Sequence, residues 1–189
     1  MLDPRVERAK AEIQARANKK ATMQRFAESH GHLYRPAPNT AEQRMVSGLN
    51  FGSNRSSASL ITSGIGDTIF VAEQTGKAHK NPDEVWNLSG AETIPCDEYS
   101  SRGLHAEMQI IYRLLMEWKQ ESLGYRSAES YLKYRIGNGV AVSKGKGCCQ
   151  LCAAILLKLG VRVGYIEKSK YESIWVDPFE EADVPNPLF

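Results

Sequence analysis

Four residues in two short segments have the types and spacing of a catalytic metal site. His105 and Glu107 belong to the segment His-Ala-Glu, and Cys149 and Cys152 form a Cys-x-x-Cys pair. Two cysteines three positions apart in the first turn of a helix lie on one face, so both sulfurs can reach one ion. One imidazole and two thiolates leave the fourth position of a tetrahedral Zn²⁺ open, which is typical of catalytic zinc. These residues predict a zinc cofactor held by His105, Cys149 and Cys152.

Glu107 has a different role in this prediction, because it lies only two residues after His105. In the first turn of a helix it can reach a metal-bound water without binding the metal. Zinc lowers the pKa of bound water to near neutrality, and a carboxylate can take up the released proton and pass it on. We therefore expect a hydrolytic reaction with metal-bound hydroxide as the nucleophile and Glu107 as the proton shuttle.

Each pair is expected at the start of a helix. Apolar residues recur at helical spacing over residues 104–119, which predicts the first helix. Residues 148–160 predict the second, which ends at Gly160. The positive end of its dipole favours the thiolate forms of the cysteines. A predicted strand over residues 137–145 leads into it and would fix the pair at a sheet edge.

The remaining pattern predicts an α/β fold. A β-hairpin is expected over residues 56–76, a long loop over 77–103 and a short helix within 120–138. Strands over 161–169 and 171–178 are too close in sequence for a parallel crossover, so they should pair antiparallel. The predicted order is β-β-α-β-α-β-β, a mixed five-stranded sheet with helices packed on it.

The first fifty residues differ in character from the rest. Residues 3–29 predict a charged helix that Asp3 caps, with Pro4 at its first position. Its apolar stripe is narrow, so the helix either packs on the core or ends a linker from a larger protein. We expect residues 1–50 to form a helix and an irregular connection, and residues 51–189 to form the catalytic domain.

The composition limits the classes of protein to which this chain can belong. The chain has 189 residues, is 42% hydrophobic and carries a net charge of +2, which is typical of one globular domain. No apolar run approaches the roughly 20 residues of a membrane span, and the first residues lack the apolar core of a secretory signal. Residues 101–170 hold twelve Lys or Arg against five Asp or Glu. That excess fits either a polyanionic substrate or a solvated surface.

His-Ala-Glu followed by Cys-x-x-Cys resembles the signature H-x-E…P-C-x-x-C of the cytidine deaminase-like superfamily of zinc deaminases. The resemblance covers roughly residues 56–178. It implies that the histidine and both cysteines bind zinc and that the glutamate moves protons. Cys148 stands where the family has proline. Position 151 is leucine, so Cys148 lacks a cysteine three residues later, and Cys149 is assigned as the ligand.

The resemblance also indicates a substrate. The antiparallel ending is similar to the branch that contains free-cytidine deaminases and bacterial toxin deaminases. A charged helix before the catalytic domain resembles the C-terminal part of polymorphic toxins, which act in the cytoplasm of the cell that receives them. This similarity implies conversion of cytosine to uracil in nucleic acid, on a single-stranded or flipped base, and a cognate immunity protein as a partner.

Substrate contacts outside the metal ligands are expected from loops and aromatic residues. Tyr125 and Tyr131 lie among basic residues, where rings could stack on bases. The alternative is that these tyrosines cover the core helix. Asn50, Asn54 and Arg102 are candidates for contacts with a ribose or a base edge.

Three other functions compete with this prediction. A deaminase of free cytidine or another small nucleoside or base would use the same site. A non-catalytic, zinc-stabilised module that binds nucleic acid or a protein partner would have no use for the proton shuttle. A thiol redox protein built on Cys149 and Cys152 would not explain His105 and Glu107.

Overall fold

The computed structural model describes residues 4–30, 58–73, 92–96, 104–121, 124–144, 147–164, 166–167 and 177–186. The helices in these ranges are α1 (Pro4–His30), α2 (Ala106–Glu121), α3 (Ala128–Ile136), α4 (Gln150–Lys158) and α5 (Pro178–Glu181). The strands are β1 (Ala58–Thr62), β2 (Thr68–Glu73), β3 (Glu92–Pro95), β4 (Val140–Lys144), β5 (Cys148–Cys149), β6 (Arg162–Val163) and β7 (Ile166–Glu167).

The central sheet is open, mixed and five-stranded, with the order β3-β2-β1-β4-β6. Strand β1 lies at its centre and pairs antiparallel with both β2 and β4. The outer strands β3 and β6 run parallel to their neighbours β2 and β4. A second, two-stranded sheet pairs β5 with β7 in parallel. The predicted α/β class with a five-stranded mixed sheet is therefore confirmed.

Helix α2 packs on one face of the central sheet. Ile61 and Phe70 are cross-strand partners on that face, and both are buried with the apolar side chains of α2. Side chains alternate along a strand, so Ser59 faces α2 together with Ile61. Helix α4 is buried along nearly its whole length, which fits its apolar sequence. The core of the described residues thus lies between the sheet and these two helices.

Several predicted elements are confirmed. The helix predicted for residues 3–29 is α1, which begins at Pro4. The predicted hairpin is β1 and β2, and the two predicted core helices are α2 and α4. Gly160 follows the end of α4 with a φ of 80°, in the left-handed region that glycine favours.

The loop predicted for residues 77–103 is wrong at residues 92–95, which form strand β3 beside β2. The segment Glu-Thr-Ile-Pro is short and ends in proline, whose missing N–H argues against a central strand. An edge position tolerates it, because one side of the strand needs no partner. The N–H of Cys96 continues the pairing by donating to the carbonyl of Val71 at 2.7 Å. Apart from Cys96, the other residues of that predicted loop lie outside the described residues.

The C-terminal strands also differ from the prediction. The predicted strand 161–169 is divided into β6 and β7, which belong to different sheets. The predicted strand 171–178 is wrong at its end, because Asp177 caps α5 and Pro178 begins it. Residues 171–176 lie outside the described residues, so the antiparallel pairing of the last two strands stays a prediction.

Helix α1 packs on the core. Its later part packs against α4, and Met23 is fully buried in the core cluster. Residues 4–15 are exposed. The boundary predicted at residues 50 and 51 lies outside the described residues. Among the helices that are described, none combines the length and apolar character needed to cross a bilayer.

Candidate metal centre

His105 immediately precedes α2, where the backbone holds it at the helix start. Its carbonyl accepts a hydrogen bond from the Gln109 N–H at 2.9 Å, which closes the first turn. The Gln109 side chain donates back to the carbonyl of Leu104 at 3.2 Å. Gln109 is fully buried, and its role was not predicted from the sequence. It braces the backbone from which the His105 ring projects.

The cysteine pair is fixed from both sides. Cys149 caps α4, and its sulfur accepts a hydrogen bond from the Cys152 N–H at 3.4 Å. Cys148 and Cys149 also form β5, whose partner strand is Ile166–Glu167. This two-residue strand was not predicted. The sulfur of Cys149 therefore occupies a position set by a small sheet and a helix start together.

The structure brings the three predicted ligands together. His105 Nδ1 lies 3.2 Å from Cys149 Sγ and 3.3 Å from Cys152 Sγ. The two sulfurs are 3.2 Å apart, and both cysteines are free thiols. Ligand atoms about 2.0–2.3 Å from a tetrahedral zinc lie roughly 3.5–3.8 Å from one another. The donor set therefore fits Zn²⁺ after movements of about half an ångström or less.

Electrostatics at this group favour one thiolate before any metal binds. The hydrogen bond with Cys152 lowers the pKa of Cys149 to about 6, against the opposing effect of burial and with help from His105. Burial raises the pKa of Cys152, and the neighbouring Cys149 raises it further. A thiolate is the form of cysteine that binds a metal. A cation held here would stabilise both sulfurs in that form.

Glu107 lies beside this group in the first turn of α2, and it is 5% exposed. Its charge opposes the lowering of the Cys149 pKa and adds to the raising of the Cys152 pKa, so the carboxylate and the sulfurs share one electrostatic environment. Glu107 Oε1 accepts hydrogen bonds from the hydroxyls of Ser59 at 2.6 Å and Ser143 at 2.7 Å. Neither serine was predicted from the sequence. A polar residue on the buried face of a strand, as at Ser59, was the available signal.

The remaining cysteines are separate from the group. Cys148 is 1% exposed, and its sulfur donates to the carbonyl of Cys149 at 3.6 Å. Its thiol also lies against Glu107, and burial together with that carboxylate holds the pKa of Cys148 well above its ordinary value. Cys96 is buried near Ile94. The potential metal group contains Cys149 and not Cys148, as the spacing predicted.

Tyr125 and Tyr131 pack against each other at the start of α3, and Tyr131 belongs to the core. Tyr131 is 1% exposed, so its ring has no free face on which a base could stack. Its hydroxyl bonds with Arg135, and its ring packs edge-on against Tyr125 at 5.3 Å. The alternative interpretation, that these tyrosines cover the core, fits this placement.

The position of α3 supports the interpretation that these tyrosines cover the core. The carbonyl of Arg135 accepts hydrogen bonds from Ser63 and Gly64, which follow the end of β1. Ser59, which contacts Glu107, lies near the start of β1. Four residues of strand span about 13 Å, so the end of α3 and the carboxylate are at opposite ends of the strand. Asn50, Asn54 and Arg102 lie outside the described residues.

Comparisons of the chain with protein-family models, curated proteins and solved structures find no match. A functional assignment therefore depends on the residues of this site.

Proposed function

We propose that this protein is a zinc-dependent hydrolytic deaminase that converts cytosine to uracil in nucleic acid. The observation that carries the proposal is the group of one imidazole nitrogen and two sulfurs, with a buried carboxylate in the first turn of α2, two residues after the histidine that precedes this helix. His105, Cys149 and Cys152 would hold the metal. The proposal includes the toxin-type setting, with action in the cytoplasm of a target cell and a cognate immunity protein.

Zn²⁺ held by three protein ligands supplies Lewis-acid activation of water near neutral pH. Glu107 would take one proton from the attacking water and deliver it to the ring nitrogen of the base, and would then carry the second proton of that water from the new hydroxyl to the departing amine. The reaction consumes one water and releases one ammonia, and the C4–N bond of cytosine is replaced by a C4–O bond. The burial of Glu107 keeps bulk water from competing for that proton.

The preference for a polymer is supported by charge. Residues 101–170 carry twelve basic and five acidic side chains, and this segment contains both halves of the metal group. A basic surface attracts the phosphates of nucleic acid. The target amine is inaccessible in a stacked duplex, so the substrate base must be unpaired or flipped out.

The decisive experiment measures ammonia release from cytidine, deoxycytidine, single- and double-stranded DNA, and RNA, and sequences the polymer products. Glu107→Gln is the control, with its zinc content measured alongside. Conversion confined to polymers supports the proposal. Conversion of the free nucleosides instead identifies a small-molecule deaminase with the same chemistry.

One observation favours a second candidate, a non-catalytic zinc-stabilised module. Glu107 is bonded to two strand hydroxyls, and such bonds also stabilise a buried carboxylate that has no catalytic role. This module would bind zinc and release no ammonia from any of the five substrates. Protein that binds zinc and is inactive throughout would therefore overturn the deaminase proposal.

A further inference from the structure

Two serines on neighbouring strands converge on a single oxygen atom of Glu107. Ser59 of β1 and Ser143 of β4 are direct cross-strand partners. Their hydroxyl oxygens are 3.0 Å apart, and both lie within 2.7 Å of Glu107 Oε1. The three oxygens form a small triangle between the sheet and the first turn of α2.

The triangle is built on rigid parts of the fold. Strand β1 is the central strand of the five and is held by neighbours on both sides. Ser59 is 1% exposed, and Ser143 is half-buried. A serine side chain has few rotamers to lose, so a hydroxyl on a paired strand has a well-defined position. By contrast, a glutamate at a helix start has three side-chain torsions to restrain.

Both hydroxyls reach the same carboxylate oxygen. Each hydroxyl has one proton, so both can donate to Oε1 of the ionised carboxylate at once. Hydrogen bonds to a charged acceptor are stronger than those between neutral groups. Two such bonds from different strands hold Oε1 of the carboxylate in position between the sheet and α2.

We propose that Ser59 and Ser143 are positioning residues, which orient the carboxylate of Glu107 for proton transfer beside the metal group. The inference rests on the proposed deaminase function. In this proposal Oε1 of Glu107 stays bonded to the sheet, and proton transfer is assigned to the other oxygen. Small displacements of a catalytic group reduce the rate strongly, because the reacting atoms must be aligned.

The first test separates kcat from KM. Ser59→Ala and Ser143→Ala are each expected to lower kcat about 10- to 100-fold, with KM changed little and zinc content unchanged. Ser143→Thr retains the hydroxyl and suits a strand, so it should restore most of kcat. If both alanine variants keep the kcat of the unmodified protein, the proposal is overturned.

The second test does not depend on activity. A double-mutant cycle compares the unfolding midpoint of Ser143→Ala in the unmodified protein and in the E107L background. Ser143→Ala should clearly lower the unfolding midpoint of the unmodified protein. It should lower the midpoint of E107L much less, because E107L already lacks the carboxylate that accepts the hydrogen bond. Ser63→Ala is the matched control: Ser63 bonds the carbonyl of Arg135 and should give equal shifts in both backgrounds.

The two tests distinguish failure of the proposed function from failure of this inference. If the unmodified protein releases no ammonia, the proposed function fails, and the unfolding cycle still decides whether the serines hold Glu107. If the cycle shows equal shifts for Ser143→Ala in both backgrounds, the serines do not hold the carboxylate, and this inference fails whatever the activity is.

Discussion

Lys19, in α1, forms an ion pair with Asp177, the residue that caps α5. The Asp177 side chain is 3% exposed, and it also accepts hydrogen bonds from the Phe179 N–H at 3.0 Å and from Asn186 at 2.9 Å. Lys19 reaches Glu180 as well, at 3.1 Å. A buried carboxylate is costly unless it is paired, so this contact ties α1 to the C-terminal helix.

Lys19→Met should lower the free energy of unfolding by about 1–3 kcal/mol, because it leaves the buried Asp177 without its cation. The matched control is Lys133→Met. Lys133 pairs with Glu129 on an exposed helix surface, where such pairs contribute about 0.3–0.5 kcal/mol. Urea denaturation of the three proteins measures both effects. Equal losses in the two variants would show that the contact with α5 has no special importance.

The Lys19 contact also predicts a dependence on pH. Burial alone lowers the pKa of Lys19, but the hydrogen bonds and charges of Asp177 and Glu180 outweigh it and raise the pKa above the ordinary 10.5. A raised pKa of a basic group stabilises the folded state fully below the unfolded pKa, and the stabilisation is lost as pH rises through the folded value. The stability difference between the unmodified protein and Lys19→Met should thus be constant from neutral pH up to about 10.5 and shrink above it. A difference that grows there would contradict the assignment.

The metal group predicts one zinc site that needs all three ligands. His105→Ala, Cys149→Ala and Cys152→Ala should each lose stoichiometric zinc, because two remaining ligands hold the ion poorly. Cys96→Ala is the control, since Cys96 is also a buried free thiol but bonds the carbonyl of Ile94 instead. Elemental analysis after dialysis measures the content. Retention of zinc by the Cys149 variant would reassign that ligand.

Glu107→Gln should lower the rate of deamination about 100- to 10,000-fold while zinc stays bound, because the amide cannot carry the proton. The amide oxygen can still accept from Ser59 and Ser143, so the thermal midpoint should change little. Glu117→Gln is the control on the same helix, where Glu117 pairs with Arg135. Full activity in the Glu107 variant would assign proton transfer to another group.

The pairing of His105 with the cysteines could be predicted from sequence, because residue type and spacing report directly on metal chemistry. The helices α2 and α4 were predictable for a related reason: apolar periodicity is a local property of the chain. The distances of 3.2 and 3.3 Å from His105 Nδ1 to the sulfurs of Cys149 and Cys152 agree with the predicted pairing.

Other features depend on partners that the local sequence does not reveal. The segment that forms β3 reads as a loop because of Pro95, and only its position at the edge of the sheet explains why the proline is tolerated. Strand β5 is two residues long, and its pairing with Ile166–Glu167 has no periodic signal. The meeting of Ser59 with Ser143 likewise required knowledge of the strand register.

The distance along the chain between His105 and Cys149 has a consequence for folding. These residues are 44 positions apart, and the segment between them contains α2, α3 and β4. An ion held by both would close that segment into a ring, as a disulfide does. For a loop of this length the chain-entropy model gives about 4 kcal/mol of stabilisation. A chelator would thus open this ring and release its constraint on the unfolded chain, so the loss of stability would fall on the whole fold and not on the ligand residues alone.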